Sequence, residues 1–136
     1  SDMITNITSL RPRYADTDQM GIVHHAKYFE YFEIARTELL KSLGLSYAKL
    51  EEEGYLLPLI DCYARFIKPI KYDQLILIES KLESSEGVRI HISYKIYDSE
   101  TNELLSEGFT KHSWVKKGIL KPTRPPKIYL EKISLK

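Results

Sequence analysis

The sequence predicts an α+β domain in which one antiparallel sheet of about five strands packs against one long helix. Three observations lead to this prediction. An early segment has apolar residues at helical spacing, later segments have them at every second position, and the later segments are joined by short connections. The chain has 136 residues, of which 43% are hydrophobic. This size and composition are typical of a single globular domain.

The N-terminal half contains the predicted long helix. A strand over residues 4–14 is followed by a polar loop, and the helix then runs from about residue 25 to residue 43. Gly44 is predicted to end this helix, and Ser46 to cap a second, short helix that ends near Gly54. The apolar positions that recur at helical spacing are Tyr28, Phe32, Ala35, Leu39 and Leu43.

In the C-terminal half the apolar residues recur with a period of two, which indicates strands with one buried face. Further strands are predicted around residues 56–67, 74–83 and 104–116, with hairpin connections at 84–87 and 98–102. The clearest alternation has apolar side chains at Val88, Ile90, Ile92, Tyr94 and Ile96.

Composition excludes several classes of function. Twenty Lys and Arg are balanced by nineteen Asp and Glu, so no overall field favours nucleic acid or an anionic membrane. Cys62 is the single cysteine, which rules out an internal disulfide and indicates a reducing compartment. No apolar run reaches the roughly 18 to 20 residues of a membrane span. We therefore expect a cytoplasmic protein without membrane insertion, and we expect Cys62 to belong to the core.

The first two residues, Ser1 and Asp2, precede Met3 and are interpreted as a cloning remnant. The predicted single domain therefore spans residues 3–136.

The stretch that carries chemistry is YADTDQMGIVHHAKY, residues 14–28, between the first strand and the long helix. A helix start offers NH groups without intrahelical partners and the positive end of a dipole, about half an elementary charge. A carbonyl oxygen directed there is polarised, and a nearby carboxylate attacks the carbonyl or activates water. Asp18 is close enough in sequence to do either. Asp16 is predicted to order the loop through Asx-type hydrogen bonds.

The pattern Y-x-D-T-D-x-x-G-x-V-x-H-x-x-Y, followed by E-x-A-R-T-E, resembles the 4-hydroxybenzoyl-CoA thioesterase-like family. The resemblance is strongest to its YbgC-type, Tol-Pal-associated acyl-CoA thioesterase branch. It continues through YARFIKPIKYD at residues 63–73, through residues 110–114 and through RPPKIYL at residues 124–130, and thus covers nearly the whole chain. It implies a hotdog fold, in which the sheet curls around the central helix.

This resemblance also implies the site. The family's catalytic aspartate falls on Asp18, as general base or nucleophile, with Tyr14 and His25 at supporting positions. The donor to the substrate carbonyl is then the main-chain NH at or beside His25. Tyr63, Arg65 and Phe66 are expected to reach the site from a partner subunit of a dimer or tetramer. The full set of implied substrate-binding residues is Gly21, Ile22, Val23, Tyr28, Tyr63, Arg65 and Phe66.

The expected ligand is an acyl-CoA, with no cofactor and no metal. Residues 84–87 are acidic to neutral where some relatives are basic, so we assign the CoA phosphates to Arg65, Lys68, Lys71 or Arg89. Zinc is disfavoured because neighbouring residues of a helix, such as His24 and His25, point about 100° apart.

Two other functions are considered. One is a module that binds an acyl thioester without hydrolysing it, and the presence of Tyr14, Asp18 and His25 argues against it. The other is an acyl-ACP thioesterase, for which a markedly basic rim would be expected and is not evident. His91 and His112 are interpreted as ordinary polar or half-buried strand positions.

Overall fold

The computed structural model describes residues 4–134. Five strands form one antiparallel sheet in the order β1-β4-β5-β6-β3, and two short strands, β2 and β7, pair separately. The elements in chain order are β1 Ile4–Leu10, a 3-10 turn Tyr14–Asp16, α1 Lys27–Ser42, α2 Tyr47–Glu52, β2 Tyr55–Leu56, β3 Leu59–Phe66, β4 Ile76–Glu86, β5 Arg89–Asp98, β6 Leu104–Ser113, β7 Val115–Lys116 and α3 Lys127–Ser134.

Helix α1 lies on one face of the sheet and supplies much of the core. Its apolar stripe is buried against inward-facing residues of the strands, with Phe32 and Ala35 both fully inaccessible. The predicted hotdog arrangement, one long helix covered by a five-stranded antiparallel sheet, is confirmed.

The helix approaches the sheet most closely at Phe32. The ring of Phe32 stacks on Tyr94 of β5, with centroids 4.5 Å apart and planes 8° apart. On β6, a Cβ atom added to Gly108 would lie 2.8 Å from the Phe32 ring, which is closer than real Cβ atoms come. Glycine at position 108 is therefore required for this contact.

Proline residues shorten two predicted strands. The first strand ends at Leu10 instead of residue 14, because Pro12 has no NH to donate and the chain then enters a 3-10 turn. The strand predicted over residues 56–67 is divided at Pro58 into β2 and β3.

The hairpin predicted at residues 84–87 is also tighter than expected. Strand β4 continues to Glu86, so only Gly87 and Val88 form the turn, and Gly87 takes a positive φ of 59°. A bulge between Leu82 and Ser84 allows the longer strand to stay paired with β5. The prediction that Ser46 caps the second helix is confirmed, since its Oγ accepts a hydrogen bond from the NH of Lys49 at 3.1 Å.

Two expectations about burial are wrong. Cys62 is exposed because β3 is an edge strand whose side chains lack a neighbouring strand on one side. His112 is fully buried instead of half-buried, with 1% of its surface accessible, because β6 is an inner strand paired with β5 and β3. Among residues 4–134, no helix is long and apolar enough to cross a membrane.

Candidate active site

The polar loop before α1 is closed by main-chain hydrogen bonds. The NH of His24 donates to the carbonyl of Asp16 at 3.0 Å. The NH of Asp18 donates to the carbonyl of Ile22 at 2.9 Å. The turn between these residues contains Gly21 with a φ of 77°, a conformation that other residues rarely adopt. Asp18 is thereby held in a defined position in the loop that leads into α1.

The carboxylate of Asp18 is anchored through one oxygen. Its Oδ1 accepts hydrogen bonds from the NH groups of Met20 at 2.8 Å and Ile22 at 3.1 Å. The bonds from Ile22 and Met20, together with nearby His24, lower the pKa of Asp18 below its ordinary value. Within residues 4–134, Oδ2 accepts no hydrogen bond. The group is therefore ionised at neutral pH and has one oxygen available to react.

Asp16, two residues earlier, is buried and anchors the loop. The hydroxyl of Tyr31 on α1 donates to Oδ2 at 2.9 Å, and the main-chain NH of Arg13 donates to the same oxygen at 3.2 Å. The ammonium of Lys27 lies 3.9 Å from Oδ1. Burial raises the pKa of Asp16, but the hydrogen bonds from Tyr31 and Arg13 outweigh it and the net pKa is lowered. Asp16 thus ties the loop to α1, as an ionised and fully occupied carboxylate.

At the start of α1, two NH groups are left without partners. The NH groups of His24 and Lys27 both donate to main-chain carbonyls. Those of His25 and Ala26 donate to no acceptor within the part of the chain that the structure describes. Ala26 occupies the N-cap position, where a side-chain oxygen would usually accept such a bond. The helix start is therefore free to bind an oxygen atom of another molecule.

A cleft of about 200 Å³ opens beside His25. It lies between the helix start and the end of β3. Its lining residues are Ile22, Val23, His25, Tyr28, Phe66, Ile67, Lys68 and Pro69. The cleft brings together most residues of the implied substrate site, while Ile67 and Pro69 were not predicted from the sequence.

Aromatic rings form part of the wall of the cleft. The His25 ring stacks on Phe66, with centroids 4.1 Å apart and planes 16° apart. Tyr28 meets Phe66 edge to face at 4.8 Å. The side chain of His25 is therefore a wall of the cleft. No hydrogen bond joins it to Asp18 in residues 4–134.

Tyr14 is also separate from the Asp18 carboxylate. Its ring is 76% exposed and packs edge to face against Tyr72, with centroids 5.8 Å apart. Its carbonyl accepts a hydrogen bond from the hydroxyl of Thr17 at 2.8 Å, so it contributes to the shape of the loop.

Tyr63 and Arg65 lie on the face of β3 that points away from α1. The Tyr63 ring stacks on Phe109 at 5.6 Å, and Arg65 forms an ion pair with Glu107 at 3.0 Å. Neither lines the cleft of the same chain. Side chains of a strand alternate between its two faces, so Phe66 points into the cleft while its neighbour Arg65 points away.

The four cations assigned to the CoA phosphates are not brought together in one chain. Lys68 lines the cleft and is paired with Glu103, and Lys71 lies beside Ile22, with which it forms an isolated β-bridge. Arg89 is near the other end of the sheet. Strand register places it about seven residues from Phe66 along β6, or about 24 Å at roughly 3.4 Å per residue.

No group of three or more potential metal ligands is found among residues 4–134. The site instead combines an ionised carboxylate that is hydrogen-bonded to Ile22 of the cleft wall, a helix start with unused NH donors at His25 and Ala26, and a largely apolar cleft. On this fold, such a site defines a hotdog thioesterase.

Comparison with known proteins specifies the family. The model of the thioesterase-like superfamily matches residues 12–133, and the chain belongs to this family. The YneP protein of Bacillus subtilis is 37% identical over 110 residues, covering 81% of this chain and 79% of its own. The acyl-CoA thioesterase YbgC of Haemophilus influenzae is 32% identical over 119 residues, covering 87% of this chain and 86% of its own.

A solved structure agrees with the sequence relatives. The DHNA-CoA thioesterase from Staphylococcus aureus superposes with a TM-score of 0.91 at 32% identity, covering 98% of this chain and 91% of that one. The similarity therefore extends over the whole described fold, including the loop and the helix start.

Proposed function

We propose that the protein hydrolyses an acyl-CoA thioester to a free carboxylic acid and CoA, with Asp18 as the catalytic carboxylate. One observation carries this proposal. Ile22 both lines the cleft and donates its NH to Asp18 Oδ1, so the reactive carboxylate is one hydrogen bond away from the wall of the cleft. Homologues named as acyl-CoA thioesterases support the choice of substrate class.

The thioester carbonyl binds with its oxygen toward the main-chain NH of His25 or Ala26. As water attacks the carbonyl carbon, negative charge grows on this oxygen and the helix start stabilises it. Loss of one such donor typically costs about 3 to 4 kcal/mol of barrier. The carbon–sulfur bond then breaks, and the CoA thiolate leaves and takes up a proton.

Asp18 acts as general base in this scheme. Oδ2 accepts the proton of the attacking water, while the two NH bonds to Oδ1 keep the carboxylate in place. Direct attack by Oδ2 on the carbonyl carbon is the other route open to an ionised carboxylate. Both routes need the same group at the same position, and both are lost when it is replaced by an amide.

A second copy of the chain is expected to complete the site. Strand β3 is a sheet edge with unpaired main-chain groups on one side, and such edges readily pair with another strand. β3 and the residue that follows it expose apolar side chains at 38–52% of their surface: Leu59, Ile60, Tyr63, Phe66 and Ile67. We propose that two copies pair along β3 into a continuous sheet, which brings the partner's outer-face residues near the cleft.

The phosphates of CoA are assigned first to Lys68 and Lys71. Lys68 is at the cleft, and Lys71 adjoins its wall through the bridge to Ile22. Arg65 lies on the face of β3 that points away from the cleft, and Arg89 is too far away to serve the cleft of its own chain. If Arg65 and Arg89 bind the CoA phosphates, they do so at the cleft of the partner subunit.

The decisive experiment measures thiol release from acetyl-, hexanoyl-, benzoyl- and palmitoyl-CoA by the wild type and by Asp18→Asn. The amide keeps the shape of the side chain but neither takes a proton nor attacks. We expect kcat to fall about a hundred- to ten-thousand-fold, the usual contribution of a general base.

Asp73→Asn is the matched control, because Asp73 is an exposed aspartate outside the cleft and its side chain has no hydrogen bond in residues 4–134. Its kcat is expected to equal that of the wild type. If the wild type binds acyl-CoA but releases no thiol from any of the four substrates, the protein is a binding module and the proposed reaction is wrong.

A further inference from the structure

The loop that carries Asp18 is fastened to the segment that precedes β4. Two main-chain hydrogen bonds of 2.8 Å join residues 21 and 23 of the loop to residues 72 and 70. Between these bonds, Ile22 forms an isolated antiparallel β-bridge with Lys71. The NH of Ile22 in turn donates to Asp18 Oδ1 at 3.1 Å. The position of the Asp18 carboxylate therefore depends on where the segment of residues 70–72 lies.

The side chain of Gln74 holds this segment from the other side. Its Oε1 accepts a hydrogen bond from the main-chain NH of Lys71 at 2.8 Å, and its Nε2 donates to Oδ2 of Asp98 at 2.6 Å. A main-chain NH only donates and an ionised carboxylate only accepts, so the two partners together fix the orientation of the Gln74 amide. An ionised glutamate at this position would have no donor for Asp98, and a leucine would bind neither partner.

Asp98 is itself fixed on the sheet. It is the last residue of β5 and pairs with Ile76 of β4. Its Oδ1 accepts hydrogen bonds from the NH groups of Glu100 at 2.8 Å and Thr101 at 2.9 Å. The hydrogen bond from Gln74, with those from the two NH groups, lowers the pKa of Asp98 to about 2. The carboxylate is thus ionised at neutral pH and anchored in the turn between β5 and β6.

This connection is complete within one chain. Asp98 ends β5, Gln74 lies two residues before β4, and both strands are inner strands of the sheet. The edge strand β3, along which a second copy is proposed to pair, contributes no member to it. Dimer formation therefore neither supplies nor removes any of these hydrogen bonds.

We propose that Gln74 is a positioning residue, which acts through Lys71 and Ile22 to hold the Asp18 carboxylate where it reacts. The inference rests on the thioesterase function proposed above, and it adds a residue that lies outside the lining of the cleft. Small displacements are sufficient to matter, since a misplacement of about 1 Å in a catalytic group lowers the rate about a hundredfold.

The test exchanges the donor and the acceptor between positions 74 and 98. Gln74→Glu sets two carboxylates against each other. Asp98→Asn leaves one acceptor oxygen for the two sites that the carboxylate serves with two. In the double variant the new amide donates to the new carboxylate, which still accepts from the NH of Lys71, so the connection is restored in the reverse direction.

We expect kcat for hexanoyl-CoA to fall about tenfold in Gln74→Glu and about threefold in Asp98→Asn, with KM nearly unchanged in both. The double variant should return to within about twofold of the wild type, although a sum of two independent losses predicts about thirtyfold. Such a rescue reports coupling between the two side chains, which a general loss of stability does not produce.

Ser46→Ala is the matched control, because it also removes a side-chain oxygen that accepts from one main-chain NH, at the start of α2. Urea unfolding of each variant measures the accompanying loss of stability, and the control should keep the wild-type kcat. Amide hydrogen exchange followed by NMR reads the loop without any substrate. The NH groups of Ile22 and Val23 should exchange faster in Gln74→Glu, return to the wild-type rate in the double variant and stay unchanged in Ser46→Ala.

The inference is overturned if Gln74→Glu keeps the wild-type kcat, if the double variant is no more active than Gln74→Glu, or if exchange accelerates equally across the whole sheet. A wild type that releases no thiol would refute the proposed function. The exchange rates of Ile22 and Val23 would then still decide whether Gln74 holds the loop.

Discussion

Asp16 and Asp18 are separated only by Thr17, yet their surroundings differ. Asp16 is buried, with bonds from Tyr31 and Arg13, whereas Asp18 is exposed and uses one oxygen to bind two NH groups of its own loop. The Asx-type pattern predicted for Asp16 is in fact made by Asp18, because the chain turns back after Asp18 and not before it. A carboxylate with all its partners serves structure, and one with a free oxygen is suited to chemistry.

Removing the hydroxyl of Tyr31 should loosen the loop that holds Asp18. Tyr31→Phe leaves Asp16 buried with one hydrogen bond fewer, and a bond to a charged group is worth about 1.5 to 3 kcal/mol. We expect unfolding free energy to fall by about 2 kcal/mol and kcat to fall about tenfold, with KM nearly unchanged. Urea unfolding and steady-state kinetics on the same preparation measure both.

Tyr129→Phe is the control for that experiment. Tyr129 is equally buried, and its hydroxyl donates to Ser85 at 3.0 Å, outside the loop and the cleft. The Tyr129→Phe variant should have a lower unfolding free energy than the wild type and an unchanged kcat. Equal loss of kcat in both variants would mean that Tyr31 has no specific role in positioning the loop.

The two lysines near the cleft are expected to recognise phosphate. Replacing Lys68 and Lys71 together by Gln should raise KM for hexanoyl-CoA about tenfold and change kcat little, because the phosphates are remote from the reacting atoms. KM for S-hexanoyl pantetheine, which has no phosphate, should not change. Lys95→Gln, an exposed lysine on β5, is the matched control. A tenfold change with the phosphate-free substrate would show that these lysines act on something other than phosphate.

At the level of elements, periodicity predicted α1, β4, β5 and β6 well, because each of them has a buried face. The strand ends were less predictable, since they depend on Pro12, Pro58 and the bulge after Leu82. For the candidate site, the contiguous motif pointed to the loop and the helix start, and their catalytic role stays a prediction. Which side chains of β3 point toward α1 was not predicted. The strand has apolar residues at adjacent positions, so the sequence does not reveal that Tyr63 and Phe66 point in opposite directions.

Substitutions on the two edge strands of the sheet, β3 and β1, are expected to have different effects on dimer formation. Ile60 on β3 is 47% exposed, and Ile7 on β1 is 64% exposed. If the chain dimerises along β3, Ile60→Lys places a charge in the interface and should shift the protein to monomers, with loss of activity. Ile7→Lys should remain a dimer with full activity. Light scattering after size exclusion gives the mass of each variant, and an Ile60→Lys protein that stays dimeric would exclude pairing along this edge.

Across the whole molecule, a connected series of hydrogen bonds links α1 to the sheet. Arg36 donates to the Tyr94 hydroxyl at 3.2 Å, and that hydroxyl bonds Thr110 at 2.6 Å. Thr110 lies 2.9 Å from Nε2 of His112, whose Nδ1 is 3.2 Å from the carbonyl of Leu57. A carbonyl only accepts, so Nδ1 of His112 carries the proton; in the neutral ring Nε2 then accepts from Thr110, whose oxygen accepts in turn from Tyr94.

This direction agrees with a neutral His112. A second proton, on Nε2, would remove the bond that the ring accepts from the Thr110 hydroxyl. Burial, with the positive charge of Arg36, lowers the pKa of His112 to about 4. Composition and periodicity gave no sign of this arrangement, because its members come from α1, β5, β6 and the segment before β3.

The low pKa makes stability depend on pH. The unfolded chain takes up a proton on His112 near pH 6.5, but the folded protein does so only near pH 4. The free energy of unfolding therefore falls by about 3 kcal/mol as the pH is lowered from about 6.5 to about 4. Below this range His112 causes no further decrease. Urea unfolding at pH 7, 5 and 4 should show this decline in the wild type. His112→Gln, which donates and accepts without titrating, should largely abolish it, whereas His91→Gln on the outer face should retain it. A decline of equal size in both variants would assign the effect to other groups.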